Sequence, residues 1–382
     1  MRFIPYGHQS IDDEDVHSVI EVLKGDWLTT GPAVDQFEQE LAKYVGARHA
    51  VAVNSGTSAL DIAVQALDLP KGSEIITTPF TFAATSNAIL YNGHVPVFAD
   101  IDPRTRNIRP DEIGRKIGPK TRAIIYVDYA GHPCAIDEIR EIAREHDLLL
   151  IEDACHALGA SYKGRKVGTF ADMTIFSFHP VKPITTGEGG AVVTENTGIS
   201  AKLRMLRSHG ITRDVGDMFG EGASWGYDMQ SLGRNYRMTD IQAVLGVSQL
   251  KKLDLFIKRR NELAALYASV LSDLEWLDPP RMQEQVIHGW HLYTVLLRGV
   301  ERNILYSYLK ERGIGANVHY IPTYMFSYYR KHYPQRVGAF PGTEDVFNRI
   351  LTLPLYPGMS DEDVGYISEN LHKAASDLRI SK

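Results

Sequence analysis

The chain has 382 residues, 44% of them hydrophobic and 23% charged, which is enough to bury a large core in two or three domains of ordinary globular composition. A formal charge of −6 with scattered basic residues excludes a nucleic-acid footprint, and two cysteines, Cys134 and Cys155, exclude a disulfide framework and fit a reducing compartment. No run approaches the ~20 apolar residues of a membrane span and the N-terminus lacks a signal-peptide core, so a cytoplasmic protein with no membrane partner is expected.

In chain order, Ser10 is expected to cap a helix that carries Val16, Val19, Ile20 and Leu23 on one face. His49 to Val53 reads as a buried strand and Ser58 to Leu67 as the helix after it. Ile75 to Thr78 is a strand stopped by Pro79, Thr85 to Leu90 a helix, and Pro96 to Ala99 a further strand. Ala123 to Val127, Asp137 to His146 and Leu148 to Ile151 repeat the strand–helix–strand alternation. Apolar runs of this kind predict an α/β fold with a mostly parallel sheet covered on both faces. Beyond residue 172 the strands shorten, at Met173 to Phe178 and Gly190 to Thr194. Thr239 and Gln242 form a capping box ahead of a long helix through Leu245, Leu250 and Leu253 toward Leu266. We place the domain boundary on that helix, giving a large domain over residues 1–250 and a small C-terminal α/β domain over 251–382. His291 to Leu297 and Ala316 to Tyr320 are the expected strands of the small domain.

Lys182 is the first candidate for chemistry. It sits between Pro180 and Pro183, which exclude a regular helix and stiffen the loop, ahead of a turn rich in threonine and glycine. Carbonyl chemistry needs an amine that is fixed in space and partly deprotonated. An isolated lysine is more often a solvated loop residue, but that reading does not explain its setting. Asp153 closes the run Leu148 to Asp153, at a strand's carboxyl end, where α/β proteins place ligand groups. An anion there can keep a pyridine nitrogen protonated, although an acidic cap on the next turn is the plainer alternative. Asn54 to Ser58 is a small-residue turn from strand to helix, with backbone N–H groups and hydroxyls suited to an anion, or simply a helix cap. Phe82 follows another strand end and can stack on a flat ring, though an aromatic there is more often core. His156, three residues past Asp153, reads equally well as a structural histidine. Each signal is weak alone. Together they supply an amine, a carboxylate, a phosphate cradle and a stacking ring, the needs of pyridoxal 5'-phosphate (PLP). No metal is expected.

The segments Glu152 to Gly159 and Phe176 to Gly190 resemble the DegT/DnrJ/StrS family of fold-type I PLP enzymes, mostly nucleotide-sugar aminotransferases. Gly25 to Gly31, Asn54 to Ala59, Asn235 to Met238 and Val318 to Tyr320 extend the resemblance over nearly the whole chain. Val127 to Gly131, Arg207 to Arg213 and Pro183 to Gly189 look most like the C4 aminotransferases of pseudaminic-acid biosynthesis. The resemblance implies a Schiff-base role for Lys182 and a pairing of Asp153 with the pyridine nitrogen. It places Phe82 and His156 beside the ring, and Gly56, Thr57 and Ser177 at the phosphate, joined by Asn235 of a neighbouring subunit in a homodimer. Tyr6, Trp27, Thr29, His319 and Tyr320 match positions lining the sugar-nucleotide cleft. The implied reaction takes an amino group from L-glutamate to C4 of a UDP-linked 4-keto-6-deoxy-N-acetylhexosamine. Arg234 stands where many relatives carry an aromatic or small residue, which bears on the subunit contact or the diphosphate site. A dehydratase branch of the family replaces the lysine by histidine, and Lys182 argues against it. The rivals are a catalytically silent PLP- or sugar-nucleotide-binding regulator and another PLP reaction such as elimination or desulfuration. Desulfuration would need an exposed, reactive cysteine, and Cys155 is expected to be buried.

Overall fold

The structure, a computed structural model, describes residues 3–213 and 225–378. Seven strands form the main sheet: β1 (His49–Val53), β2 (Glu74–Thr77), β3 (Val95–Phe98), β4 (Thr121–Val127), β5 (Leu149–Asp153), β6 (Met173–Ser177) and β7 (Gly190–Thr194). Their spatial order is β1-β7-β6-β5-β4-β2-β3. Pairing is parallel from β6 through β5, β4 and β2 to β3, while β7 runs antiparallel to both β6 and β1. The mixed, mostly parallel sheet expected from the apolar runs is therefore present. Alternation within each strand covers both faces. Ala50, Ala52, Ile124 and Leu150 enter one apolar cluster, and Val51, Val53, Ile125 and Ile151 the opposite one.

Register decides where the site lies. Val127 at the end of β4 pairs with Asp153 at the end of β5, and Asp153 pairs with Ile175 of β6. The carboxyl ends of the parallel strands are thereby level, and the loops that leave them open on one side.

The first helix, α1 (Asp13–Lys24), begins later than expected. Asp12, not Ser10, is its cap, in a reciprocal pair with Asp15. Its apolar stripe is also not turned inward, since Val16, Ile20 and Leu23 are exposed. The helix is anchored through charge instead: Asp15, fully buried, accepts hydrogen bonds from Gln249 (2.7 Å) and Lys252 (2.6 Å). The next helix, α2 (Pro32–Val45), has Gly31 at its N-cap and no side-chain cap of its own. Buried Asp240 supplies one from 209 residues away, accepting from the N–H groups of Gly31 (2.8 Å) and Ala33 (3.0 Å).

Helices α3 (Gly56–Ala66) and α4 (Ala83–Tyr91) follow β1 and β2. The long helix α5 (Asp240–Val270) starts at the Thr239–Gln242 capping box read from the sequence. Along it the packing changes partners. Leu250, Leu253 and Ile257 belong to the core against the main sheet, and Leu263, Ala264 and Tyr267 to a second core. The second core lies against an antiparallel sheet of Leu277–Asp278, β8 (Tyr293–Leu297) and β9 (Ile350–Leu353). Ala316 to Tyr320 is not a strand. It makes one bridge, Asn317 to Thr352, and Asn317 Oδ1 then accepts from the N–H of Val318, which ends the ladder. Leaving the ladder delivers His319 and Tyr320 toward the main sheet. Among the described residues no helix is long and apolar enough to cross a membrane.

Asp240→Ala should strand two N–H groups in the first turn of α2 and cost about 1–3 kcal/mol. A lower thermal midpoint of the apoprotein is the expected result, and an unchanged midpoint would show the remote cap to be dispensable.

Candidate active site

The turns after β1, β2, β4, β5 and β6 enclose a cavity of about 410 Å³. At its floor the β1–α3 turn presents a helix N-terminus. Ser55 caps α3, its hydroxyl taking the N–H of Ser58 (3.0 Å) and its carbonyl that of Ala59 (3.1 Å). Among the described residues the N–H groups of Gly56 and Thr57 have no partner, where the helix dipole is positive. A Cβ on Gly56 would come within 2.9 Å of the Ser177 Cβ and 3.3 Å of the Cys155 sulfur. Glycine is thus required for the turn to lie against β6, and the Ser177 hydroxyl stands beside it. Two open N–H groups with a hydroxyl at a helix start fit a phosphate monoester.

Asp153 is buried at the end of β5. Its Oδ2 accepts from the Thr85 hydroxyl (2.7 Å), which in turn accepts from Thr81 (2.9 Å), and its Oδ1 accepts from the N–H of Cys155 (3.3 Å). Among the described residues it makes no ion pair, so a carboxylate with free lone pairs faces the cavity. Phe82, the N-cap of α4, is 60% exposed at the cavity rim and lies 6.0 Å from the Tyr320 ring. An exposed ring over a cavity is a stacking surface, not core.

Lys182 reaches the cavity from a loop held at both ends. Its own N–H bonds the His179 carbonyl (2.9 Å), and the loop is closed by the Thr186 N–H on the Phe178 carbonyl (3.0 Å) and the Phe178 N–H on the Gly189 carbonyl (2.9 Å). Burial pushes the Lys182 ammonium below its ordinary pKa. Nζ lies 3.5 Å from Nε2 of His291, a buried histidine whose ring sits 4.4 Å from that of His156. Burial and then the Lys182 charge hold both histidines well below 6.5, and the same two causes bring His319 to about 3. Neutral His156 has a fixed tautomer. Nδ1 accepts from the N–H of Ala130 (3.1 Å), so Nε2 carries the proton and donates to the Tyr320 hydroxyl (3.0 Å). The Tyr320 proton is thereby free to point at an acceptor in the cavity, and burial keeps it on the oxygen.

Ten residues singled out from the sequence line this one cavity: Tyr6, Gly56, Thr57, Phe82, Asp153, His156, Ser177, Lys182, His319 and Tyr320. Trp27, Thr29 and Asn235 do not, and all three lie exposed on the chain's surface. Arg234 is engaged within the chain, its Nε on Asp61 at 3.3 Å beside the Tyr236 hydroxyl. Sequence reasoning passed over Thr85 and His291. Thr85 lies three residues past Phe82, one helical turn on, and is read from the sequence only as a helix start. His291 carries no local signal. It is brought in by the backbone bonds of Gly289 and His291 to Gly131 and Ala130. Cys155 lines the cavity, but burial and the Asp153 charge push its thiol far above its usual range, which opposes a sulfur-transfer role.

A family model described as the DegT/DnrJ/EryC1/StrS aminotransferase family matches residues 9–372. An uncharacterized protein of Methanocaldococcus jannaschii is 44% identical over 99% of both chains. The UDP-4-amino-4,6-dideoxy-N-acetyl-beta-L-altrosamine transaminase of Campylobacter jejuni is 39% identical over 96% of each. Helicobacter pylori PseC, an aminotransferase involved in the biosynthesis of pseudoaminic acid, superposes with a TM-score of 0.92 at 34% identity, covering 98% of this chain and 100% of that one. The Spr1654 protein of Streptococcus pneumoniae, solved in PLP and PMP forms, matches with the same TM-score at 30% identity. The lysine, the carboxylate and the open helix N-terminus fit that cofactor, and the chain belongs to the DegT/DnrJ/EryC1/StrS family as a PLP-dependent sugar aminotransferase.

Proposed function

We propose that this enzyme moves the amino group of L-glutamate to C4 of a UDP-linked 4-keto-6-deoxy-N-acetylhexosamine, in nucleotide-sugar biosynthesis of the pseudaminic-acid type. The observation that carries the chemistry is a lysine whose ammonium burial pushes below its ordinary pKa, in one cavity with a free-faced carboxylate and an open helix N-terminus. The choice of sugar is supported by the names of the Campylobacter jejuni and Helicobacter pylori proteins.

PLP, when bound, supplies an electron sink for the carbanion formed at the amino donor. Gly56, Thr57 and Ser177 would hold its phosphate. Asp153, oriented by Thr85, would hold the proton at the ring nitrogen. Phe82 would cover the ring from the rim, and Tyr320, oriented by His156, would point its proton toward the ring's polar edge. Lys182 Nζ takes the proton from the donor's α-carbon. The neutral rings of His156 and His291 suit that task, because a cation beside Lys182 would oppose its reprotonation. Tyr6, His319 and Tyr320 form the wall on which a sugar nucleotide would lie. Asn235, exposed on the surface, would serve the cavity of a second copy of the chain, and Trp27 and Thr29, exposed as well, would line that copy's sugar-nucleotide cleft. The exposed apolar stripe of Val16, Ile20 and Leu23, close in sequence to exposed Trp27 and Leu28, supports a homodimer.

The purified enzyme loaded with PLP should be yellow, and L-glutamate should bleach it. Lys182→Ala should lose all turnover and hold the cofactor only noncovalently while keeping its fold, and an active variant would sink the mechanism. The bleached enzyme should aminate a UDP-linked 4-keto sugar at C4, read by mass spectrometry. Preference for a keto sugar on another nucleotide would move the reading to that substrate, within the same reaction.

In light scattering the protein should have the mass of a dimer, and a monomer would remove Asn235 from the site.

Below pH 6.5 the unfolded chain binds protons at His156, His291 and His319 that the folded chain refuses, down to about pH 3 at His319. Stability should therefore fall as pH drops from 6.5, by up to about 1.4 kcal/mol per pH unit for each histidine. Urea midpoints between pH 7 and 5 test this. His319→Asn should flatten the slope, and a flat wild-type profile would contradict the assignment of neutral rings.

A further inference from the structure

A second cavity, of about 70 Å³, lies apart from the active site and is lined by Arg104, Arg106, Arg281 and Arg349, with Asp278 as its one carboxylate. A single water needs ~10–15 Å³ on such a measure, so there is room for a small polyatomic ion. Arg106 is the unusual member. It is 3% exposed, yet among the described residues its guanidinium has no carboxylate partner. Nη1 donates to the Arg104 carbonyl (3.2 Å), and Nε is buried with no partner. A buried cation left this way is costly unless an anion meets it.

Its backbone adds to the oddity. Arg106 has φ of +64°, the left-handed region that favours glycine or asparagine. The turn is locked by the Arg106 N–H on the Asp102 carbonyl (2.7 Å) and the Asp102 N–H on the Asn107 carbonyl (2.9 Å). Strain held in this way is found where a side chain has to be aimed. The neighbours do not neutralise it. Arg104 is taken by Asp102, Arg349 by Asp345, and Asp278 by Arg298 at 3.2 Å. Among the described residues Arg281, at the mouth, has no ion pair, so Arg106 and Arg281 leave two positive charges facing one small space.

We propose that this cavity is a binding site for a phosphate-type oxyanion, inorganic phosphate or the terminal phosphate of a monoester, held between Arg106 and Arg281. Guanidinium forks match such an ion in geometry and charge. The site also joins two parts of the fold, since Arg104 and Arg106 follow β3 while Asp278, Arg281 and Arg349 belong to the second sheet and its connections.

The test uses the PLP-loaded enzyme, titrated with inorganic phosphate against chloride at equal ionic strength and followed by thermal midpoint and calorimetry. Phosphate should give a saturable rise in midpoint that chloride does not. Arg281→Ala, at an exposed position, should fold normally and weaken phosphate binding about tenfold or more. Arg106→Met should fold at least as well without phosphate and lose the response. If that variant fails to fold, Arg281→Ala decides alone. No saturable effect in the wild type, or an unchanged phosphate affinity in Arg281→Ala, would overturn the proposal.

Discussion

A primary amine acts as a base near neutral pH only if its surroundings withhold its proton, and the cavity around Lys182 is arranged to that end. Burial does most of the work. The same burial decides which neighbours the lysine can have. His156, His291 and His319 are tolerated because burial keeps them uncharged, and Asp153 is directed at Thr85 and the Cys155 N–H instead of at the ammonium. A carboxylate bound directly to Nζ would stabilise the charged form and defeat the arrangement. The level ends of β5 and β6 serve the same constraint, because they bring Asp153, His156 and Lys182 together out of bulk water.

Much of this was legible in the sequence, for physical reasons that differ by residue. Asp153 and the Asn54 to Ser58 turn were readable because a buried parallel strand announces its own end, and its end is where ligands go. Lys182 was readable from the two prolines beside it. The capping box at Thr239 fixed the start of α5 because the signal is local. The first helix shows the limit. Its apolar stripe was visible, but which way the stripe faces is set by Asp15 meeting Gln249 and Lys252, over 230 residues away. His291 and the end of the ladder at Asn317 were hidden for the same reason. Trp27, Thr29 and Asn235 came from family resemblance, and a single chain does not bring them to its own cavity.

Helix α5 ties the two cores together, and its position there constrains how the molecule can move. At ~1.5 Å per residue its 31 residues span about 46 Å. The change from one core to the other falls at a fully buried arginine, Arg260, whose Nη1 donates to the carbonyls of Trp290 (2.9 Å) and Leu355 (3.0 Å). Bending the rod at that point would pull a cation off two carbonyls in a dry interior. The segment Ala316 to Tyr320 crosses between the same two cores and is pinned as well, by the Tyr129 hydroxyl on the His319 carbonyl and by the His319 ring 2.9 Å from the Thr352 hydroxyl, so the groups it presents to the cavity are held from both sides.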